Sequence, residues 1–229
     1  MALSWFPFYA IETIDAILIT HGHADAILGF DDLRQWTLDG RVHASIPVYL
    51  NSETMKVVAR TFPYLVDSAL ATGGGQIAAL QFHVFGDNDH HGGDVYSPLL
   101  VDELKVIPFD VEHGKAGENP YYSLGYKFPG ITYISDANLI PKVALDLIAD
   151  SDILVLDALN VKPHPSHMMV DEAIQIALNL KPRLLFLTDF CHDVEHYKLE
   201  KTLREHQELK IAGVSAAPAF DGLVVELNC

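Results

Sequence analysis

Four short, nearly continuous apolar runs in this sequence each stop at a histidine or an aspartate. Ile14 to Thr20 runs directly into His21, Ile131 to Ile134 into Ser135-Asp136, Ile153 to Leu156 into Asp157, and Leu184 to Leu187 into Thr188-Asp189. A fifth run, Leu104 to Phe109, leads to His113 after a short loop. Short runs rich in β-branched residues read as buried strands. Between them lie segments with helical spacing: Ala26 to Trp36, Thr54 to Phe62 with an N-cap offered by Asn51-Ser52-Glu53, Pro141 to Ala149, Val170 to Leu180 and Glu195 to Glu208. Strands alternating with helices predict an α/β fold. Tyr122 to Phe128 and Ile131 to Ile134, parted only by Pro129-Gly130, add a hairpin, so the sheets are expected to be mixed. Polar residues at the ends of several strands would then gather at one sheet edge, where an active site can be built.

Further strands are expected at Pro47 to Leu50 and, closing the chain, at Gly222 to Leu227. Residues 68–98, with Gly73-Gly74-Gly75 and the polar stretch Gly86 to Asp94, read as loop. With no linker or internal repeat, residues 1–229 are read as one domain. At 49% hydrophobic residues the chain has enough apolar material for a large core.

A net charge of −16 sets the sequence against broad electrostatic binding to nucleic acid or to an anionic membrane. A bound dication would still attract a phosphate locally, because the ion dominates the field around it. Two cysteines, Cys191 and Cys229, cannot make a disulfide framework, and a reducing, cytoplasmic setting is the default. No apolar run reaches the length of about 18 residues needed to span a bilayer, and the N-terminus lacks the features of a signal peptide. The expected partner is a small-molecule substrate, with no membrane, little extended nucleic-acid binding, and a homodimer compatible with the sequence.

His21-Gly22-His23-Ala24-Asp25 places two imidazoles and a carboxylate within five residues, between a strand and a helix. Neutral imidazole nitrogen and carboxylate oxygen suit Zn²⁺, Mn²⁺ or Fe²⁺. The alternative, a solvated polar turn, is the weaker reading of this pattern after an apolar strand. The segment resembles the metal-binding signature HxHxDH of the metallo-β-lactamase superfamily. The longer string from Ile19 to Arg34 resembles a branch near ribonuclease Z and the cyclic phosphodiesterase of phosphonate breakdown. The resemblance implies an αββα sandwich of two mixed sheets flanked by helices. Relatives carry several strands ahead of the HxHxD strand, so this chain is expected to be N-terminally incomplete.

The same resemblance extends the site along the chain. It implies His21, His23 and Asp25 as ligands, Asp25 counting also as a catalytic residue. His113 matches the family's third histidine, and Asp136 the aspartate that bridges two metals. Asp157 and His167 match a pair that delivers a proton to the leaving oxygen, the arrangement general acid catalysis needs. The last ligand is a histidine after the Leu-Thr strand end in relatives. Here Asp189 holds that slot and His192 follows three residues later; His192 is favoured, with Asp189 as a supporting or substitute ligand. Ala26 stands where the signature ends in histidine, which places the second metal site in question. The expected cofactor is one or two Zn²⁺ ions, with Mn²⁺ or Fe²⁺ as alternatives. The expected activity is metal-dependent hydrolysis of a small phosphodiester by activated water. A thioester or lactone hydrolase of the same fold, or a degenerate non-catalytic binding protein, are the alternatives.

Overall fold

A computed structural model describes residues 2–86 and 92–226. The chain divides into two compact units, Met1–His91 with Val101–Glu103, and Gly92–Leu100 with Leu104–Cys229.

In the first unit, α1 (Ala2–Phe8) precedes β1 (Ile17–Leu18), α2 (Ala24–Ile27), a 3₁₀ segment (Leu28–Leu33) and α3 (Arg34–Thr37). β2 (Ile46–Asn51), α4 (Ser52–Thr61), α5 (Pro63–Val66) and β3 (Leu80–Phe85) follow. The three strands form a parallel sheet in the order β1-β2-β3. Ile46, Val48 and Leu50 alternate along the central strand and are all fully buried, as the two-residue period of a strand requires. Val48 and Leu50 pack with Ile19, Ile27, Phe30, Val58 and Phe62. The helix after β2 starts where Asn51 Oδ1 accepts the Thr54 N–H at 2.9 Å, which selects Asn51 from the capping stretch Asn51-Ser52-Glu53.

In the second unit, β4 (Leu99–Val101, its last residue counted with the first unit), β5 (Leu104–Ala116), β6 (Asn119–Phe128) and β7 (Ile131–Ile134) lead to α6 (Lys142–Ile148) and β8 (Ile153–Asp157). α7 (Val170–Leu180), β9 (Leu184–Thr188), α8 (His196–Glu205), α9 (Gln207–Ala212) and β10 (Ser215–Pro218) complete it. The sheet order is β10-β9-β8-β7-β6-β5-β4. β7, β8, β9 and β10 run parallel, each crossover carrying a helix, while β6 is antiparallel to both β5 and β7. β5 therefore points the same way as β7, β8 and β9. This direction rule brings His113, Asp136, Asp157 and Asp189 to the same sheet edge. One face of these strands packs on helices α6 to α9, with Leu154, Leu156, Leu185, Leu187, Ala173 and Ala177 all fully enclosed.

Several sequence expectations are corrected. The strand before His21 is only Ile17–Leu18, prolonged by the Ile19 N–H bond to the Tyr49 carbonyl at 3.0 Å. Residues 26–36 form two helical turns around a 3₁₀ segment rather than one helix, because the apolar residues there follow no single helical face. Residues 68–98 contain β3, whose mixed burial hid its alternation. Glu195 to Glu208 breaks at His206, which leaves helical geometry and caps α9 by accepting the Leu209 N–H on Nδ1. The closing strand is Ser215–Pro218, not Gly222 to Leu227. Four small residues there bind main chain to β9, whereas Val224 is 56% exposed and residues 223–226 are irregular; Leu227 lies outside the described residues.

Candidate metal centre

The first unit supplies two imidazoles. His21 is buried, and its Nδ1 lies 2.9 Å from Thr20 Oγ1. The His23 ring stands edge-on to it with centroids 4.5 Å apart, and the two residues offer nitrogens within 4.8 Å of each other. Gly22 between them has a specific reason to be glycine: a Cβ there would lie 2.9 Å from Val57 Cγ2 on α4. The loop therefore lies flat on that helix. His23 then caps α2, its carbonyl accepting the N–H groups of Ala26 and Ile27. Asp25 is exposed in the first turn of α2 and belongs to none of the donor clusters among the described residues.

In the second unit, His113, Asp136 and His167 offer ligand atoms within 4.8 Å of one another, as do Asp157, His167 and Asp189. His113 is held by the Ser166 carbonyl, 2.8 Å from its Nδ1. A carbonyl only accepts, so that nitrogen carries the proton. Its Nε2 faces Asp136 Oδ1 at 3.9 Å. Either a proton or a metal ion on Nε2 is favourable beside that carboxylate, so the pair can hold a cation. A ring with its far N–H pinned to a carbonyl is also the state in which histidine binds a metal. The donor set fits a dication such as zinc.

Asp136 is half-buried at the end of β7. Ser123 Oγ donates to its carbonyl at 2.5 Å, and Ser135 Oγ bonds its carboxylate. Asp157 is completely buried. Its Oδ2 accepts the His167 Nδ1–H at 2.8 Å and the Ala137 N–H at 2.9 Å, and its Oδ1 accepts the Leu159 N–H at 3.2 Å. Asp189 Oδ2 stands 3.2 Å from the same His167 nitrogen. Burial alone would lower the His167 pKa. The hydrogen bond to Asp157 and the charges of Asp157, Asp189 and Asp136 outweigh it, so the imidazole is held above its ordinary value. The His167 loop is closed at its base by the Val170 N–H bond to the Asn160 carbonyl at 3.0 Å. α7 then begins with Glu172 accepting the Met169 N–H at 2.8 Å.

The two candidates for the last ligand separate clearly. Asp189 adopts a left-handed backbone, φ 63°, at the end of β9, and this turn carries its carboxylate to His167. A non-glycine residue in that conformation is uncommon, and aspartate tolerates it better than most. His192 has a side chain 95% exposed and lies 3.6 Å from Asp193. The structure thus brings Asp189, not the favoured His192, to the cluster. The other histidines have local roles: His43 Nε2 accepts the Ile14 N–H, His83 stacks on Tyr49, and His164 Nδ1 bonds Ser166. His90 and His91 lie outside the described residues.

Four residues near the cluster were not singled out from sequence. Tyr121 places its ring 6.0 Å from that of His113. Ser166 supplies the carbonyl that orients His113, and Gly114 and Asn138 shape the strand beside it. Only Gly114 left a signal, since a glycine inside a strand pattern marks a bulge or a close approach.

Residues 4–190 match the family model described as the Beta-lactamase superfamily domain. Among solved structures, that of a diphosphatase from the PhnP family is similar at a TM-score of 0.75 and 32% identity, covering 97% of this chain and 75% of that one. The metallo-β-lactamase fold protein YhfI from Bacillus subtilis is similar at a TM-score of 0.68 and 17% identity, covering 97% of this chain and 82% of that one. An octanoyltransferase of Porphyromonas gingivalis is 25% identical over 178 residues, 73% of this chain. The chain spans only 30% of that protein's length. Among the described residues no helix is long and apolar enough to cross a membrane.

Proposed function

This chain belongs to the beta-lactamase superfamily and has its α/β metallo-β-lactamase fold; from that premise we propose that it is a metal-dependent phosphodiesterase acting on a small phosphodiester. The observation that carries the reading is the Asp157–His167 pair, 2.8 Å apart, set beside His113 and Asp136 at one sheet edge. Within the first unit the proposed ligands are His21, His23 and Asp25; within the second they are His113, Asp136 and Asp189, with His192 as the alternative to Asp189. Bound there, one or two Zn²⁺ ions, or Mn²⁺ or Fe²⁺, would lower the pKa of water and stabilise negative charge on the substrate's phosphoryl oxygens.

The remaining work falls to this chain's side chains. Asp157 fixes the tautomer of His167 by accepting its Nδ1–H, which leaves Nε2 to hold a proton for the departing oxygen. Asp189 shares that Nδ1–H and adds negative charge beside the ring, favouring the protonated form. A phosphorus-centred substrate is supported by the similarity at 32% identity to a diphosphatase. The net charge of −16 favours a small phosphodiester over a nucleic-acid polymer. We further propose that residues 1–229 act as one domain, in the cytoplasm, on a freely diffusing substrate.

The test is a metal analysis with an activity screen. Purified protein should hold transition metal and hydrolyse bis(p-nitrophenyl) phosphate or a cyclic nucleotide with added Zn²⁺ or Mn²⁺. Below about 0.2 equivalents of metal, far less than a site of ordinary affinity retains, the catalytic reading fails. Turnover of thioesters or lactones without any of phosphodiesters would move the substrate class to the acyl side.

A further inference from the structure

We infer that Asn138 is a positioning residue for His113, acting through the conformation of Gly114; the inference rests on the metal-dependent reading above. β5 does not pass through His113 as a regular strand. Its pairing with β6 slips between Glu112, opposite Tyr122, and Lys115, opposite Pro120. His113 and Gly114 therefore share the single residue Tyr121 as their counterpart. Two residues against one is a β-bulge, a device that re-aims a side chain and leaves backbone groups without ladder partners.

Asn138 supplies a partner. Its Oδ1 accepts the Gly114 N–H at 2.7 Å. Its own N–H donates to the Glu112 carbonyl at 2.8 Å, and the Glu112 N–H donates to the Leu139 carbonyl at 2.9 Å. The segment two residues beyond Asp136 is thus clasped to the chain on both sides of His113. This matters because of what Gly114 permits. Its φ is +80°, and a Cβ there would lie 2.8 Å from Ser166 Cβ. The bulge held in this shape lets Ser166 approach, and the Ser166 carbonyl then accepts the His113 Nδ1–H at 2.8 Å. The next residue is His167. One side-chain oxygen on Asn138 therefore governs the bulge, the seat of Ser166 and the direction of the His113 ring.

The test compares the parent with Asn138→Ala, which removes the acceptor, and Asn138→Asp, which keeps an oxygen at the same reach. Metal-free proteins are titrated with Co²⁺ against a competing chelator, reading affinity and the visible ligand-field bands. Asn138→Ala should lose affinity about 10–100-fold and change band intensity, whereas Asn138→Asp should stay within about threefold, on the scale seen for partners of metal-binding histidines. Gly114 amide exchange in the metal-free proteins should accelerate in Asn138→Ala alone. If Asn138→Ala does not fold, Asn138→Leu, similar in volume and without an acceptor, is read in the same titration. Parent-like affinity and bands in the acceptor-less variant would overturn the positioning role and leave the metal reading standing. Loss of affinity that Asn138→Asp fails to restore would also overturn it. A parent protein that takes up no Co²⁺ would overturn both.

Discussion

Asp157 Oδ2 lies 2.8 Å from His167 Nδ1 and accepts the Ala137 N–H with the same oxygen. One buried carboxylate thereby ties the end of β8 to the turn carrying Asp136 and to the loop carrying His167. Asn at position 157 would keep an acceptor and lose the charge that orients and protonates the ring. We expect Asp157→Asn to lower phosphodiester turnover by about 100-fold, the scale of general acid catalysis, with metal content unchanged. Unaltered turnover in a steady-state assay would remove the proton-delivery role.

The raised His167 pKa gives a signed pH dependence for the metal-free protein. The folded state binds this proton more tightly than the unfolded chain. The resulting stabilisation is fully present below the unfolded value of about 6.5 and is lost as pH rises through the folded value. Thermal midpoints of metal-free protein should therefore fall between mildly acidic and mildly alkaline pH, and fall less in His167→Asn. Parallel curves for the two proteins would assign the pH effect to other groups.

Removing metal by chelation should abolish turnover, and Zn²⁺ or Mn²⁺ should restore it. A ligand that binds only the folded chain stabilises it by about 2.7 kcal/mol at a hundred times its Kd. Differential scanning calorimetry should show the midpoint rising with added Zn²⁺, and a midpoint indifferent to Zn²⁺ would argue against a specific site.

Gly125 on β6 lies opposite Phe109 on β5, and a Cβ there would come 2.4 Å from the Phe109 ring and 3.1 Å from Ile134 Cγ1. Phe109 and Ile134 are both fully buried, so neither can swing aside. Gly125→Ala should cost about 1–3 kcal/mol through overpacking, read as a lower urea midpoint. Because Phe109 and Ile134 lie on the strands that carry His113 and Asp136, metal affinity should fall as well.

Lys127 Nζ donates to the Leu147 carbonyl at 2.6 Å and pairs with the Asp150 carboxylate at the C-terminal end of α6. The Asp150 side chain is 82% exposed, so the ion pair itself adds little. Satisfying the carbonyl is the larger part. Lys127→Met should therefore destabilise by about 1–3 kcal/mol, and Asp150→Asn by much less. Equal losses in chemical denaturation would reverse that ranking.

The HxHxD segment, the buried runs ending in His or Asp, and the hairpin at Pro129-Gly130 were all legible in the amino-acid order. Each is a local pattern: strand periodicity, ligand chemistry and turn residues need no distant partner to be read. The order of those runs along the chain, with the resemblance they carry, also identified the family and the Asp157–His167 pair. What the sequence left open depended on direction and on contacts between residues far apart. Asp189 and His192 are equally good ligands by type. The left-handed turn at Asp189 sends one carboxylate to His167, while His192 ends 95% exposed. The bulge at His113 needs Asn138 and Ser166, which lie 24 and 53 residues from their partners on β5. Strand lengths failed where pairing rather than propensity decides them, at Ile17–Leu18 and at Ser215–Pro218. Sequence alone named the atoms able to hold an ion, and tertiary structure chose which of them meet, because parallel strand direction and backbone hydrogen bonds aim a side chain that its own residue type leaves free.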